Sequence, residues 1–180
     1  MVEFDYEIDS VAVVPEYCHR CGAELDARAY EDRELPWCGD CEVFFSRNPV
    51  PGVHLVVHDD ERVLVLDEPI PQHEGLLSLP GGHARPDEGP RRAAVRELEE
   101  ETGLTADPGD LRFLTVLHAE LPDVALYLLT YAVERSRVAG DLTTEFDAGE
   151  AHFAPLAALR ANPDRIRDSD LERIELAFGD

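Results

Sequence analysis

The chain has 180 residues and a formal net charge of −23, with 39 Asp and Glu against 16 basic residues, all of them Arg. A hydrophobic content of 44% excludes a disordered chain, and no apolar run approaches the ~20 residues a membrane helix needs. So dense a negative charge repels nucleic acid in dilute salt.

The first residues, Met1-Val2-Glu3-Phe4-Asp5, are acidic and unlike a signal or transit peptide, so a cytoplasmic protein is expected. Salt screens self-repulsion, because the Debye length falls to roughly 3 Å at 1 M. The charge therefore predicts a halophilic protein suited to a salt-rich cytoplasm, with an ordinary acidic protein from a GC-rich genome, which would also favour Arg over Lys, as the competing reading.

In chain order, Val2, Phe4, Tyr6 and Ile8 alternate loosely and predict a strand within residues 1–14. Residues 17–41 hold all four cysteines, as Cys18-x-x-Cys21 and Cys38-x-x-Cys41 with 16 residues between the pairs. That spacing matches a four-cysteine zinc ribbon, in which each pair supplies two thiolates from one tight turn. Gly22 and Gly39 stand where such turns favour a small residue. Disulfides are disfavoured in a reducing cytoplasm, and a redox dithiol has no use for a second copy. Four thiolate ligands leave no position open for water, so the zinc is expected to be structural. His19, inside the first knuckle, is expected to be exposed rather than a fifth ligand.

Ser46-Arg47-Asn48-Pro49-Val50-Pro51-Gly52 predicts a boundary. Two parts are expected: residues 1–48 with the ribbon, and residues 49–180. In the second part, Val53–Val57 and Val63–Leu66 flank a polar turn and predict a hairpin. Leu76–Leu79 is a short apolar run. A helix fits Pro90–Thr102, with proline in its first turn and Gly103 just past its end. Leu111–Leu117 and Val124–Val133 read as strands. Phe153–Arg160 and Leu171–Phe178 read as helices, the last capped by Ser169 or Asp170.

The Pro90–Thr102 helix carries the main signal. Positions i, i+3 and i+4 share a helix face, so Glu97, Glu100 and Glu101 form one carboxylate cluster. Ala94, Val95, Leu98 and Thr102 fall on an apolar arc, and Glu99 points away from both. Like charges at this spacing repel, which predicts a compensating cation; hard divalent ions such as Mg²⁺ prefer carboxylate oxygens and bridge to phosphate. In a chain this acidic, a solvated acidic face is the competing reading. The frame around the glutamates decides against it: Gly82, five residues, Glu88, seven residues, Arg96-Glu97-Leu98, Glu99, Glu100-Glu101, Thr102, Gly103-Leu104. This frame resembles the Nudix box at every defining position and is far more specific than a lone glycine loop.

The resemblance implies an α/β (α+β) fold, a Nudix α/β/α sandwich around a mixed sheet, here preceded by the small ribbon. It implies that Glu97, Glu100, Glu101 and the carbonyl of Gly82 bind Mg²⁺ or Mn²⁺, and that Glu88 and Arg96 hold the loop against the helix. It implies a further acid outside the box as general base or extra ligand, with Glu145, Asp147 and Glu150 as candidates. The implied reaction is attack of water on one phosphorus of a nucleoside diphosphate linked to a group X. Metals would lower the pKa of that water and neutralise the leaving phosphate.

A ribbon, the link Asn48-Pro49-Val50-Pro51 and the box in that order resemble the NADH-pyrophosphatase branch, which also acts on NAD-capped RNA. That branch carries a Ser-Gln-Pro-Trp-Pro-Phe-Pro array after the box; nothing like it occurs from Thr105 to Tyr131, and the only Trp is Trp37. ADP-ribose, for which Pro122 is weak support, and oxidised nucleoside triphosphates are the other candidate substrates. Phe113, Tyr127, Tyr131 and Phe153 could stack on a base, but aromatics are readily buried and core positions are expected. The expected partner is a small nucleotide, with a capped RNA end as the one nucleic-acid exception. Homodimers occur in the family, so one is expected by analogy alone. The alternative from another class is a non-catalytic nucleotide-sensing or ribbon-docking module.

Overall fold

A computed structural model of the protein describes residues 14–46, 48–67, 75–120, 124–143 and 150–179. The strand expected from Val2 to Ile8 lies outside the described residues.

The cysteine-bearing segment builds a three-stranded antiparallel sheet from β1 (Asp26–Tyr30), β2 (Arg33–Cys38) and β3 (Val43–Phe44). β1 and β2 form a tight hairpin in register from Asp26↔Trp37 to Tyr30↔Arg33. Every residue of β1 is exposed, and among the described residues the buried centre is only Cys18, Cys38 and Phe45. So small a core needs a staple to persist, and the four cysteines sit where one would act. Glycine use differs between the two knuckles. Gly22, just after the first pair, takes the left-handed conformation at φ 78° as expected. In the second knuckle the left-handed residue is Glu42, at φ 51°, again just after the pair. Gly39 is not the residue that makes that turn.

The larger part contains β4 (Val50–His58), β5 (Arg62–Asp67), β6 (Leu77–Ser78), β7 (Gly81–His83), α1 (Pro90–Thr102), β8 (Thr105–Ala106), β9 (Arg112–Glu120), β10 (Ala125–Glu134), β11 (Val138–Ala139), β12 (Ala151–Pro155), α2 (Leu156–Ala161) and α3 (Asp168–Phe178). The main sheet runs β12-β5-β4-β10-β9, with β6 added to β5 and β7 to β4. β10 lies parallel to β4 and antiparallel to β9, so the sheet is mixed. Strand alternation sorts the apolar residues into two layers. Val53, Leu55 and Val57 pack with Ala93, Ala94 and Leu98 of α1. Val56, Val63 and Val65 pack on the opposite face with Leu156 and Leu159 of α2 and Ile174 and Ala177 of α3. The expected mixed-sheet sandwich is the observed architecture.

α1 has the expected bounds, with Pro90 at its start. Gly103 ends it at φ 72°, its N–H donating to the Glu99 carbonyl. Ala94, Leu98 and Thr102 are buried, Val95 is half-buried, and Ala93 joins the core as well.

Three expectations are corrected. Residues 153–155 are not helical: β12 pairs antiparallel with β5 from Ala151↔Leu66 to Pro155↔Arg62, and only Leu156–Ala161 is helix. Distant pairing decides those residues, and local pattern does not foretell it. Neither Ser169 nor Asp170 caps α3. Arg167 precedes the helix, and both residues are buried in its first turn. The Pro and Gly residues at 51 and 52 do not interrupt structure either, because β4 already begins at Val50 and pairs there with Leu126. Gly52 lets Leu128 pack closely on that strand: a Cβ would lie 2.6 Å from Leu128 Cδ2, which would have to shift.

Candidate active site

The site is built on the turn from β7 into α1. β7 is held against β4 through Gly52↔His83, Val53↔Gly82 and His54↔Gly81. No side chain fits at Gly81, where a Cβ would come within 2.1 Å of the Val53 carbonyl oxygen. At Gly82 a Cβ would meet both carboxylate oxygens of Glu97 at 2.7 Å. The missing side chain therefore lets the Glu97 carboxylate lie directly on the backbone of Gly82. Glu101, one turn along α1, accepts a hydrogen bond from the Gly81 N–H at 2.9 Å. Two glutamates of the expected set are thus docked on the Gly81-Gly82 backbone.

Glu100 is more exposed and pairs with Arg85 at 3.1 Å and Arg96 at 2.9 Å. Glu99 is exposed and separate, as the helix faces require. Arg96 holds the assembly together. It pairs with Glu88 at 2.5 Å and Glu97 at 2.7 Å, and it donates to the His83 carbonyl at 2.9 Å. Glu88 also accepts from the Arg85 N–H at 2.9 Å, closing the loop. Hydrogen bonding from Arg96, then from that backbone N–H, holds the Glu88 carboxyl down at about 2. Hydrogen bonding to Glu88, and then to Glu97 and Glu100, raises the Arg96 pKa further. The sequence predicted that repulsion among the glutamates needs a cation; part of that compensation is Arg96 and Arg85 themselves.

The donor set still fits a divalent ion. Three carboxylates and a backbone turn offer hard oxygen ligands of the kind Mg²⁺ and Mn²⁺ take. Of the three acids outside the box, Glu145 and Asp147 lie outside the described residues. Glu150 is exposed just before β12, with its carbonyl accepting from the Asp67 N–H at 3.2 Å.

Beside the loop, on the α3 face of the sheet, lies a cleft of about 190 Å³. Its walls include Gly52, His54, His83, Leu128, Arg167 and Arg173. Arg173 is buried and pairs with Asp170, itself buried, which also accepts from the Leu79 N–H at 3.0 Å. Arg173 donates further to the Ser169 carbonyl at 2.9 Å, to Thr130 Oγ1 at 3.4 Å and to His54 Nδ1. Burial, and then the charge of Arg173, press the His54 pKa down to about 3. His54, Thr130 and Arg173 were not singled out in the sequence, and Ser169 and Asp170 only as helix caps. They come from β4, β10 and α3, and no local spacing links them. The aromatics divide: Tyr131 is core and Phe153 half-buried, whereas Phe113 and Tyr127 are exposed, contrary to expectation.

The four cysteines meet as expected. Their sulfurs all lie within 4.8 Å of one another, and among the described residues it is this group whose ligand atoms converge so closely. Cys18 Sγ and Cys41 Sγ are 3.9 Å apart, and Cys21 Sγ and Cys38 Sγ 3.5 Å, with all four cysteines free of disulfides. Burial raises the Cys18 thiol, but the backbone N–H groups of Arg20 and Cys21 and neighbouring thiols outweigh it and bring it to about 7. His19 is exposed, its ring edge-on to Phe45 at 4.9 Å. No described helix is long and apolar enough to cross a membrane.

Comparison with known proteins agrees with this geometry. Phosphatase NudJ of Escherichia coli strain K12 is 36% identical over 91 residues, which are 50% of this chain and 58% of that protein. The alignment thus spans little more than half the length of that relative. A NUDIX hydrolase from Nitrosomonas europaea superposes with a TM-score of 0.62 at 22% identity, covering 73% of this chain and 89% of the other. The NUDIX domain of Shewanella oneidensis NrtR, solved with ADP ribose, superposes with a TM-score of 0.61 at 21% identity, over 74% and 88%. Residues 48–175 match the NUDIX domain as a family, which is most of the chain, and the chain belongs to that family.

Proposed function

We propose that the protein is a divalent-metal-dependent hydrolase that cleaves a phosphoanhydride bond in a nucleoside diphosphate linked to a group X, with ADP-ribose as the first candidate. The observation that carries this reading is the docking of Glu97 and Glu101 on the Gly81-Gly82 backbone, with Glu100 beside them. Glu97, Glu100, Glu101 and the Gly82 carbonyl would hold Mg²⁺ or Mn²⁺. Such an ion supplies neutralisation of phosphate charge and a lowered pKa for the attacking water. Glu88 and Arg96 act by position: they fix the loop so that the glutamates stay on one side of it. The ADP ribose bound by the NrtR domain supports the choice of ligand class. The ribbon is read as a structural Zn²⁺ site, since four thiolates saturate a tetrahedral ion. The net charge supports a halophilic, cytoplasmic protein.

The test is a hydrolysis screen over ADP-ribose, NADH, dinucleoside polyphosphates and oxidised dGTP, in high salt with Mg²⁺. Turnover of at least one compound is expected. Glu97→Gln, Glu100→Gln and Glu101→Gln should each reduce it by about two orders of magnitude or more, and Glu99→Gln should leave it nearly unchanged. Equal loss at Glu99 would overturn the assignment of faces. Tight binding without turnover of any compound would instead make the protein a ligand-sensing module.

A further inference from the structure

The cleft beside the glutamate loop differs in composition from the rest of the molecule. The chain has 39 acidic residues in 180, yet among the described residues lining this cleft there is no Asp or Glu. It presents instead two histidines, two arginines and the hydroxyl-bearing Ser169, against the apolar Leu126 and Leu128. The open recess on the ribbon provides the contrast, because four acids (Glu16, Glu24, Asp26 and Glu34) line it. A donor-rich cleft in so acidic a protein suits a ligand rich in acceptor oxygens. It also lies next to Gly81 and Gly82, which line it and carry the glutamates.

His54 is the donor whose state the structure determines. Arginine has five N–H donors and no acceptor. The contact from Arg173 Nη1 to His54 Nδ1 therefore requires a lone pair on Nδ1. In a neutral imidazole the other nitrogen then carries the proton. Arg173 cannot turn away easily: it is buried, paired with Asp170 and bonded to the Ser169 carbonyl. The opposite edge of the ring lies over Gly81, where a Cβ would come within 2.4 Å of His54 Cδ2. Glycine at that position leaves room for the Nε2 side of the ring beside the loop.

We propose that His54 is a ligand-recognition residue, held by Arg173 and Asp170 as an Nε2–H donor to an acceptor oxygen of the nucleotide bound across the Gly81-Gly82 loop. This rests on the nucleotide reading above and adds to it a residue, an atom and a direction of hydrogen bonding. The oxygen belongs either to the diphosphate or to the group beyond it.

Two measurements test it, both on the full chain with its metals bound. The first is ¹⁵N NMR of the histidine side chains in wild type, assigned by comparison with His54→Phe. Nε2 of His54 should carry the proton and Nδ1 should not; the opposite tautomer overturns the proposal. The second is binding of α,β-methylene ADP-ribose and α,β-methylene ADP, which cannot be cleaved at that linkage. His54→Phe keeps the ring but lacks the donor, and His54→Gln restores an amide N–H near Nε2. Loss of one hydrogen bond should weaken binding about three- to tenfold in His54→Phe, with partial recovery in His54→Gln. A loss with both analogues places the oxygen on the diphosphate, and a loss with the ADP-ribose analogue alone places it on the group beyond. Equal affinity of wild type and His54→Phe for both analogues overturns the assignment of His54 and leaves the hydrolase reading standing. Failure of both analogues to bind wild type overturns the choice of an ADP-ribose-type ligand and the proposal for His54 with it, while turnover of another compound in the screen would keep the hydrolase reading.

Discussion

Arg96 meets more of the site than any glutamate does. It touches Glu88, Glu97, Glu100 and the His83 carbonyl, so it ties the loop to the helix and screens the carboxylates from one another. Its partner Glu88 has a consequence for pH. The Glu88 carboxyl is held at about 2 against an ordinary 4.5. Between those values the folded chain binds fewer protons at this group than the unfolded chain, so stability rises with pH there. The contribution is complete above about 4.5 and is lost as pH falls through about 2. Glu88→Gln should therefore have a lower urea midpoint than wild type near pH 6, with the gap narrowing steadily on acidification. A gap independent of pH would mean that the pair contributes nothing through ionisation.

At the scale of elements, α1 works because its two ends are specified separately. Proline starts it, and Gly103 ends it in a left-handed conformation that other residues adopt only with strain. At Gly103 a Cβ would also lie 2.5 Å from Thr143 Oγ1 and 2.8 Å from the Asp141 carbonyl oxygen. Gly103→Ala should cost about 1 kcal/mol or more from conformation alone, with the crowding added. Thermal unfolding measures it; an unchanged midpoint would show that the helix end yields freely. The glutamate face was legible in the sequence because i, i+3 and i+4 spacing sets a helix face whatever the rest of the chain does, and the frame around it was legible through its resemblance to the Nudix box. β12 was not legible, because residues 151–155 become a strand only by pairing with β5, more than eighty residues earlier.

At the scale of the molecule, two properties follow from charge and cysteine content. With a net charge of −23, self-repulsion opposes compaction until salt screens it. The thermal midpoint should climb as KCl is raised to about 2 M, and a protein equally stable and active without added salt would end the halophilic reading. Among its described residues the ribbon has only Cys18, Cys38 and Phe45 as a buried centre, so its fold should depend on metal. Metal analysis should find one zinc per chain. A strong chelator should then expose all four thiols to a thiol reagent, while the cooperative unfolding of residues 49–180 persists. Loss of both parts together would show that they are one folding unit.

Residue spacing alone was enough to specify the glutamate face and the two cysteine pairs, and the resemblance to the Nudix box added the Arg96–Glu88 frame. Each is a motif whose geometry is set within a turn or two of chain, and each is found where it was expected. The cleft depended on the tertiary structure. His54 and Arg173 are 119 positions apart in the chain, and Asp170, which looked like a helix cap, became the buried partner of Arg173. A cap is a local bond that sequence can suggest. A charge buried between a helix and a sheet is stable only once both surfaces have closed around it and supplied its partners, so its role emerges only with the packed fold.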